Sequence, residues 1–208
     1  MNRSVAIKTA VRLGAIVAGA LALTGCALLS TPDPVQTYRF GGQPMATAEP
    51  AAAAPIAVTL RRVEFPQATE GDRILGVTGV ETAYIAGARW ISDARDLYTE
   101  SLEGAFAAQS SRVRLTGFRE AAPATHSLAL DVRAFEARYS APGAAPTVVV
   151  SVRARLLSAP RREVAAERAF TVEQPATANR VGAIVQAFDI AVRDLNTQVV
   201  AWTDASVR

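Results

Sequence analysis

Residues 92–109, SDARDLYTESLEGAFAAQ, decide the fold class of this chain. Their apolar side chains recur at steps of three and four residues, which is the spacing of one face of an α-helix. Charged side chains occupy the other face, while Ser92 can cap the first turn and Asp93 favours the positive end of the helix dipole. The stretch therefore predicts an amphipathic helix with one side to bury.

A second amphipathic helix is predicted over residues 179–202, where another apolar stripe ends at Trp202. Between the helices, short apolar or alternating stretches are separated by turns, a pattern typical of an antiparallel meander. The stretches are residues 112–118, 127–139, 147–157 and 163–172. Two helices and a meander, each with one apolar face, predict an α+β fold: a two-layer domain with two amphipathic helices packed on one face of a mostly antiparallel sheet.

More strands are predicted before the first helix, over residues 35–40, 56–65, 73–78 and 81–85. Gly79 is expected to end the strand over residues 73–78, and Gly87 to end the strand over residues 81–85. Residues 43–55, QPMATAEPAAAAP, are rich in Ala and Pro and predict a disordered insertion. Residues 35–208 are otherwise expected to form one domain.

The N-terminus has the pattern of a targeting peptide. Three basic residues, Arg3, Lys8 and Arg12, precede an apolar run over residues 13–23. This run has 11 residues, whereas crossing a bilayer takes roughly 20. A charged head, a short apolar middle and small residues at the end predict a signal peptide over residues 1–25.

The signal peptide closes with Leu23-Thr24-Gly25-Cys26, which resembles the bacterial lipobox. The resemblance implies that the Cys26 thiol is alkylated by a diacylglyceryl group, that a signal peptidase recognises Leu23, Thr24 and Gly25, and that the new amine is acylated. Residues 26–34 would then be the lipidated N-terminus and a Pro-bearing tether. Ala27 rather than Asp after the lipidated position favours the outer membrane. The alternative is a soluble secreted protein with a chance cysteine.

Removal of residues 1–25 also removes the basicity of the sequence. The full chain has 22 Lys and Arg residues against 19 Asp and Glu, and three of the basic residues precede Cys26. The mature chain is therefore neutral, and its charge gives no support for nucleic-acid binding. Because Cys26 is the single cysteine, no disulfide can form within the chain.

The sequence carries no recognisable catalytic or metal-binding pattern. His126 is the single histidine and sits where a loop enters a strand, which is typical of a surface or turn residue. The carboxylate pairs of the first helix lie on its solvent face. The Arg-rich strand ends, with Arg153, Arg155, Arg161 and Arg162, are read as a solvated face with local ion pairs rather than a phosphate site. We therefore expect that the protein is not an enzyme and that it binds neither a cofactor nor a metal ion.

Several local strings resemble the ABC-type transport auxiliary lipoproteins, the family that includes the outer-membrane lipoprotein of the Pqi intermembrane lipid-transport system. Besides the lipobox and the closing helix, the resemblance rests on residues 34–38 (PVQTY), 63–66 (VEFP) and 84–90 (YIAGARW). It implies a non-catalytic accessory subunit at the outer membrane, facing the periplasm. The implied partners are an MCE-domain protein, an ABC permease and its ATPase.

Three residues within these strings are candidates for either the core or a partner interface: Trp90, Tyr84 and Pro66. Trp90 is expected to be core because it abuts the first helix. The alternative function is a binding module for another envelope machine, such as a peptidoglycan synthase. A secreted hydrolase is disfavoured by the missing motifs, and a homo-oligomer stays open.

Overall fold

The structure is a computed structural model that describes residues 35–42, 55–117, 124–158 and 163–207. The described residues form a sheet of eight strands and two helices. The strands are β1 (Gln36–Tyr38), β2 (Ile56–Leu60), β3 (Arg73–Thr78), β4 (Glu81–Trp90), β5 (Val113–Thr116), β6 (His126–Tyr139), β7 (Thr147–Ser158) and β8 (Glu163–Pro175). The helices are α1 (Ala94–Gln109) and α2 (Val181–Ser206). The predicted signal peptide, lipobox and tether lie outside the described residues, as does almost all of the predicted insertion.

Strand β6 is the axis of the sheet. Along one edge it pairs antiparallel with β7, which pairs antiparallel with β8. Along its other edge, two short strands run parallel to it, β2 beside its first residues and β3 beside its last. β5 extends the sheet beyond β2, while β4 and then β1 extend it beyond β3. The predicted α+β fold with two helices is confirmed, and the sheet is mixed, with its long ladders antiparallel.

The core lies between the sheet and the helices, because alternate residues of β6 and β7 face α1 and α2. On β6 these residues are Leu128, Leu130, Val132, Phe135 and Ala137, and all are buried. The pairing register shifts by one residue between Val132 and Ala134, so Phe135 lies opposite the buried Val150. A bulge of this kind reverses the alternation. Strict alternation would place Ala134 on the same face as Leu128, Leu130 and Val132, and the bulge places Phe135 there instead.

Strand β4 also departs from the sequence-based expectation, which ended it at Ile85. The strand continues to Trp90, and Gly87, with φ +68°, lies inside it. Leu75 pairs with Tyr84 but Arg73 pairs with Arg89, so β4 advances five residues where β3 advances two. The extra residues bulge outward, and glycine adopts the left-handed conformation that this requires at little cost.

The helices match their predicted spans to within a few residues. α1 begins after Asp93, whose side chain makes no capping hydrogen bond, and α2 extends to Ser206. The apolar stripe of α2 is buried against β7 and β8, and α1 packs on α2 and β5. Within the described ranges, neither helix is long and apolar enough to span a membrane.

Candidate functional site: the anchor clasp and the exposed hairpin

The chain enters the described structure through residues 35–42, which we call the anchor clasp. Its strand β1 runs parallel to β4, with Tyr38 opposite Trp90. Phe40 then turns into the core at 2% exposure, and its ring meets the Trp90 ring edge-on with 5.0 Å between the centroids. A buried aromatic side chain two residues after β1 therefore joins the clasp to the core of the domain.

Gly41 fixes the clasp between the two helices. Its N–H donates to Asp189 Oδ1 of α2 at 2.8 Å, and the Asp189 carboxylate also pairs with Arg193 at 2.7 Å. Its φ is +69°, and a Cβ atom at this position would lie 2.5 Å from Ser101 Cβ of α1. Both the backbone conformation and the lack of space require glycine. The sequence pattern gave no indication of the contact with Asp189.

A buried polar pair lies beneath Gly41. Ser101 of α1 accepts a hydrogen bond at its Oγ from Asn196 Nδ2 of α2, at 3.1 Å. Both side chains are buried, and Asn196 Oδ1 has no hydrogen-bond partner among the described residues. A buried polar pair of this kind is satisfied only in one helix register. Ser101 therefore contacts both the clasp and the second helix.

Trp90 belongs to the core. It is 2% exposed and packs edge-on against Phe40 and, at 5.3 Å between centroids, against Phe188 of α2. The Trp90 Nε1 and Tyr98 hydroxyl groups are buried and lack partners in the part of the chain that the structure describes. Burial raises the pKa of the Tyr98 phenol far above its ordinary value, so the phenol stays neutral.

The structure brings Tyr84 and the turn that begins at Pro66 together. The Tyr84 hydroxyl donates to the carbonyl oxygen of Ala68 at 3.1 Å, and the guanidinium of Arg73 lies 3.7 Å from the Tyr84 ring centroid. The Pro66 carbonyl accepts hydrogen bonds from the backbone N–H groups of Thr69 and Glu70. Tyr84 and Pro66 are both partly exposed, whereas Trp90 lies within the core.

A groove of about 580 Å³ lies beside the β3–β4 hairpin, and we call it the hairpin groove. Its lining includes Gly76, Ala83, Ile85 and Tyr139. Gly76 lets the Tyr139 ring approach, because a Cβ there would lie 3.2 Å from Tyr139 Cε2. At the tip of the same hairpin, Val80 is 99% exposed. Two strand patterns separated only by Gly79-Val80 are a hairpin signal that the sequence-based reading did not use.

Two described titratable side chains, His126 and Glu103, lie outside the anchor clasp and the hairpin groove. His126 is the first residue of β6, and its Nδ1 lies 3.0 Å from Thr125 Oγ1. Glu103 of α1 has its pKa raised, first by partial burial and second by the neighbouring Glu100 carboxylate. Within the described ranges, no group of three or more His, Cys, Asp or Glu side chains could hold a metal ion.

The outer face of the sheet carries ion pairs, as the Arg-rich strands predicted. Arg153 of β7 pairs with Glu167 of β8 at 2.7 Å. On β6, Arg133 pairs with Asp131 at 2.6 Å and Arg138 with Glu136. Arg161 and Arg162 lie outside the described residues. Arg133, Arg138 and Arg153 therefore have carboxylate partners close at hand, which reduces their attraction for an external anion. Arg155 differs, because its Nε is buried without a hydrogen-bond partner among the described residues.

Comparison with known proteins identifies the family. The sequence model of the ABC-type transport auxiliary lipoprotein component family matches residues 38–200. The chain belongs to this family. The match begins at Tyr38 in the anchor clasp and ends within α2, so it includes the hairpin and both helices. As a member of this family, the protein is a lipoprotein-type component associated with an ABC transport system and is anchored to a membrane of the cell envelope.

Solved structures support the fold of this auxiliary lipoprotein. The crystal structure of protein XCC0632 from Xanthomonas campestris has a TM-score of 0.66 and 24% sequence identity, covering 84% of this chain and 94% of that one. A second crystal structure, of an uncharacterized protein, has a TM-score of 0.64 and 14% identity, covering 82% and 99%. No curated protein matches the chain. At these identities, the structures support the fold alone.

Proposed function

We propose that this auxiliary lipoprotein is a non-catalytic scaffold, held at the outer membrane by lipid on Cys26, that supports an ABC/MCE-type intermembrane lipid transporter. Its partners are an MCE-domain protein, an ABC permease and the ATPase of that permease. The observation that carries the proposal is the anchor clasp. Phe40 and Gly41 hold the segment that follows the tether in the domain, so an anchor on Cys26 would hold the whole domain.

The anchor follows from the lipobox, in which Leu23, Thr24 and Gly25 guide the processing enzymes to Cys26. Each buried CH₂ of a lipid chain contributes about 0.8 kcal/mol to membrane binding, so several chains together hold the protein at the membrane. Tethering confines the domain to a thin layer and raises its effective concentration near a membrane-bound partner. Anchoring and docking, rather than a reaction, are therefore the function we assign.

The body of the domain suits this passive function. The chain after residue 25 has no net charge at pH 7, and its outer sheet face carries local ion pairs. The buried Tyr98 phenol and Trp90 indole lie in the aromatic core, and neither lines the hairpin groove. The alternative of a peptidoglycan-synthase module has no separate observation in its favour, whereas the family assignment favours an ABC transport system.

Purification of the tagged full-length chain from detergent-solubilised cell envelopes tests the proposal. We expect an MCE-domain protein, a permease and an ATPase to copurify. The Cys26→Ala variant is the matched control, and we expect it to leave the membrane fraction and lose these partners while the domain stays folded. Copurification of a peptidoglycan synthase without transporter subunits would contradict the proposal.

A further inference from the structure

Strand β8 forms one edge of the sheet. It has 13 residues and pairs with β7, and no described strand lies along its other side. In an antiparallel ladder, the backbone N–H and C=O groups of alternate residues point away from the neighbouring strand. An edge of this length is therefore a template to which another extended segment can add as a new strand.

Helix α2 holds the middle of this edge in place. Phe170 and Val172 are buried where β8 packs on α2, and the Phe170 ring lies edge-on to the Trp202 ring with 5.9 Å between the centroids. The two ends of the strand are less suited to pairing. Ala165 is an extra residue without a partner on β7, and Pro175 at the last position has no N–H to donate. A new strand would therefore pair with the residues between these two positions.

Arg168 restricts which strand can pair with this edge. Its side chain lies on the helix-facing side of the sheet, in line with Phe170 and opposite the buried Ala154 of β7. Arg168 is exposed, and its guanidinium lies 5.1 Å from the centroid of the Phe170 ring. A strand with only aliphatic side chains would remove water from this charge without replacing it. The added strand must therefore offer Arg168 an aromatic ring or a carboxylate.

A second copy of β8 offers such a ring in one symmetric register. When two identical strands pair antiparallel about a twofold axis, residues equally far from the central residue lie opposite each other. A pair centred on Glu167 or Arg168 sets like charges face to face, and a pair centred on Phe170 sets Glu167 against Glu173. A pair centred on Ala169 instead sets Arg168 opposite Phe170 of the second copy, where a cation–π contact can form.

The outer side of the strand also fits the register centred on Ala169. This register sets Glu167 opposite Thr171, and Glu167 is already paired with Arg153 of its own chain at 2.7 Å. No carboxylate therefore directly faces another across the pair. A pair centred on Thr171 also keeps like charges apart, but it gives Arg168 only the neutral amide of Gln174. Charge and ring placement together favour the register about Ala169.

We infer that two copies of this chain associate through antiparallel pairing of their β8 strands about Ala169, which joins the two sheets into one. The twofold axis is perpendicular to the joined sheet, so the helices of both copies lie on the same face. The pairing also covers an edge that would otherwise invite unselective association. The inference does not depend on the proposed anchor at Cys26, because it rests on the sheet alone.

Charge substitutions at the centre of the pair test this inference. Ala169 is exposed and meets Ala169 of the second copy, so Ala169→Glu or Ala169→Arg sets two like charges face to face. Within one copy, the new glutamate lies opposite Arg153, which keeps that variant compatible with the fold. Ala107→Glu is the matched control, because Ala107 is an exposed residue of α1. Light scattering of the purified full-length protein, with the detergent contribution subtracted, gives the number of copies in each particle.

The wild type and Ala107→Glu are expected to contain two copies, and each variant at position 169 one copy. Mixing Ala169→Glu with Ala169→Arg is expected to restore the two-copy particle, because opposite charges then meet at the centre, and this recovery also shows that both variants are folded. Any number of copies other than two in the wild type overturns the inference, as does a particle that Ala169→Glu leaves unchanged. Loss of the particle in Ala107→Glu, or a mixture that stays as single copies, overturns it too. All of these results leave the lipid anchor and the transporter partners to their own test.

Discussion

Replacing Gly41 with alanine should lower the free energy of unfolding more than replacing a turn glycine that has open space around it. The new Cβ would lie 2.5 Å from both Cβ and Oγ of Ser101, and the backbone must keep a φ of +69°. Holding a non-glycine residue in the left-handed region costs roughly 1–2 kcal/mol. Overpacking a tight contact costs roughly another 1–3 kcal/mol. Together these terms predict a loss of about 2–5 kcal/mol in the free energy of unfolding.

Two other glycines separate these terms. Gly79 has a φ of +60° but nothing within 4 Å of an added Cβ, so Gly79→Ala should show only the backbone cost. Gly104 lies inside α1 in open space, and Gly104→Ala should raise stability by up to about 1 kcal/mol. Urea unfolding followed by Trp fluorescence measures all three variants, because Trp90 packs on Phe40 of the clasp. If Gly41→Ala costs no more than Gly79→Ala, the clasp is not tightly packed and this reasoning is refuted.

Further changes test the surroundings of the clasp and the core by the same urea titration. Asp189→Ala removes the acceptor of the Gly41 N–H and should cost about 1–3 kcal/mol, and an unchanged midpoint would mean that the contact contributes nothing. Tyr98→Phe removes a buried hydroxyl without a partner among the described residues, so stability at neutral pH should stay level or rise. Because burial raises the Tyr98 pKa, only the unfolded chain ionises as pH passes 10, and the wild type should lose stability there that Tyr98→Phe keeps. Partial burial and then Glu100 raise the Glu103 pKa, so the folded state holds its proton longer and stability falls as pH rises through the folded pKa. The Glu103→Gln variant should therefore lose less unfolding free energy than the wild type between acidic and neutral pH. Parallel curves of unfolding free energy against pH for the two proteins would contradict this.

The main elements of the fold could be predicted because burial of one face leaves a periodic sequence. The stripes of α1 and α2 and the alternation in β6 each record a single buried side. The order of the strands in the sheet leaves no periodic pattern in the sequence, because the pairing of β6 with both β2 and β3 depends on contacts between distant parts of the chain. The bulge after Val132 and the continuation of β4 through Gly87 are local irregularities that periodicity alone misses.

The candidate site divides in the same way. The lipobox is a continuous string, so Cys26 could be singled out from the sequence. Trp90 could be singled out as a core residue because it abuts the predicted first helix. The partner of Gly41 is 148 residues away in sequence, and Asp189 looks like any charged residue on the polar side of a helix. No local pattern links the two. The exposure of Val80 likewise follows from the pairing of β3 with β4, which only the folded chain defines.

Mass spectrometry of the N-terminal peptide of the protein, isolated from native membranes, tests whether Cys26 carries the lipid anchor. We expect this peptide to begin at Cys26 and to carry a diacylglyceryl group on sulfur and an acyl chain on nitrogen. A free Cys26 thiol, with residues 1–25 still attached or cleaved elsewhere, would contradict it.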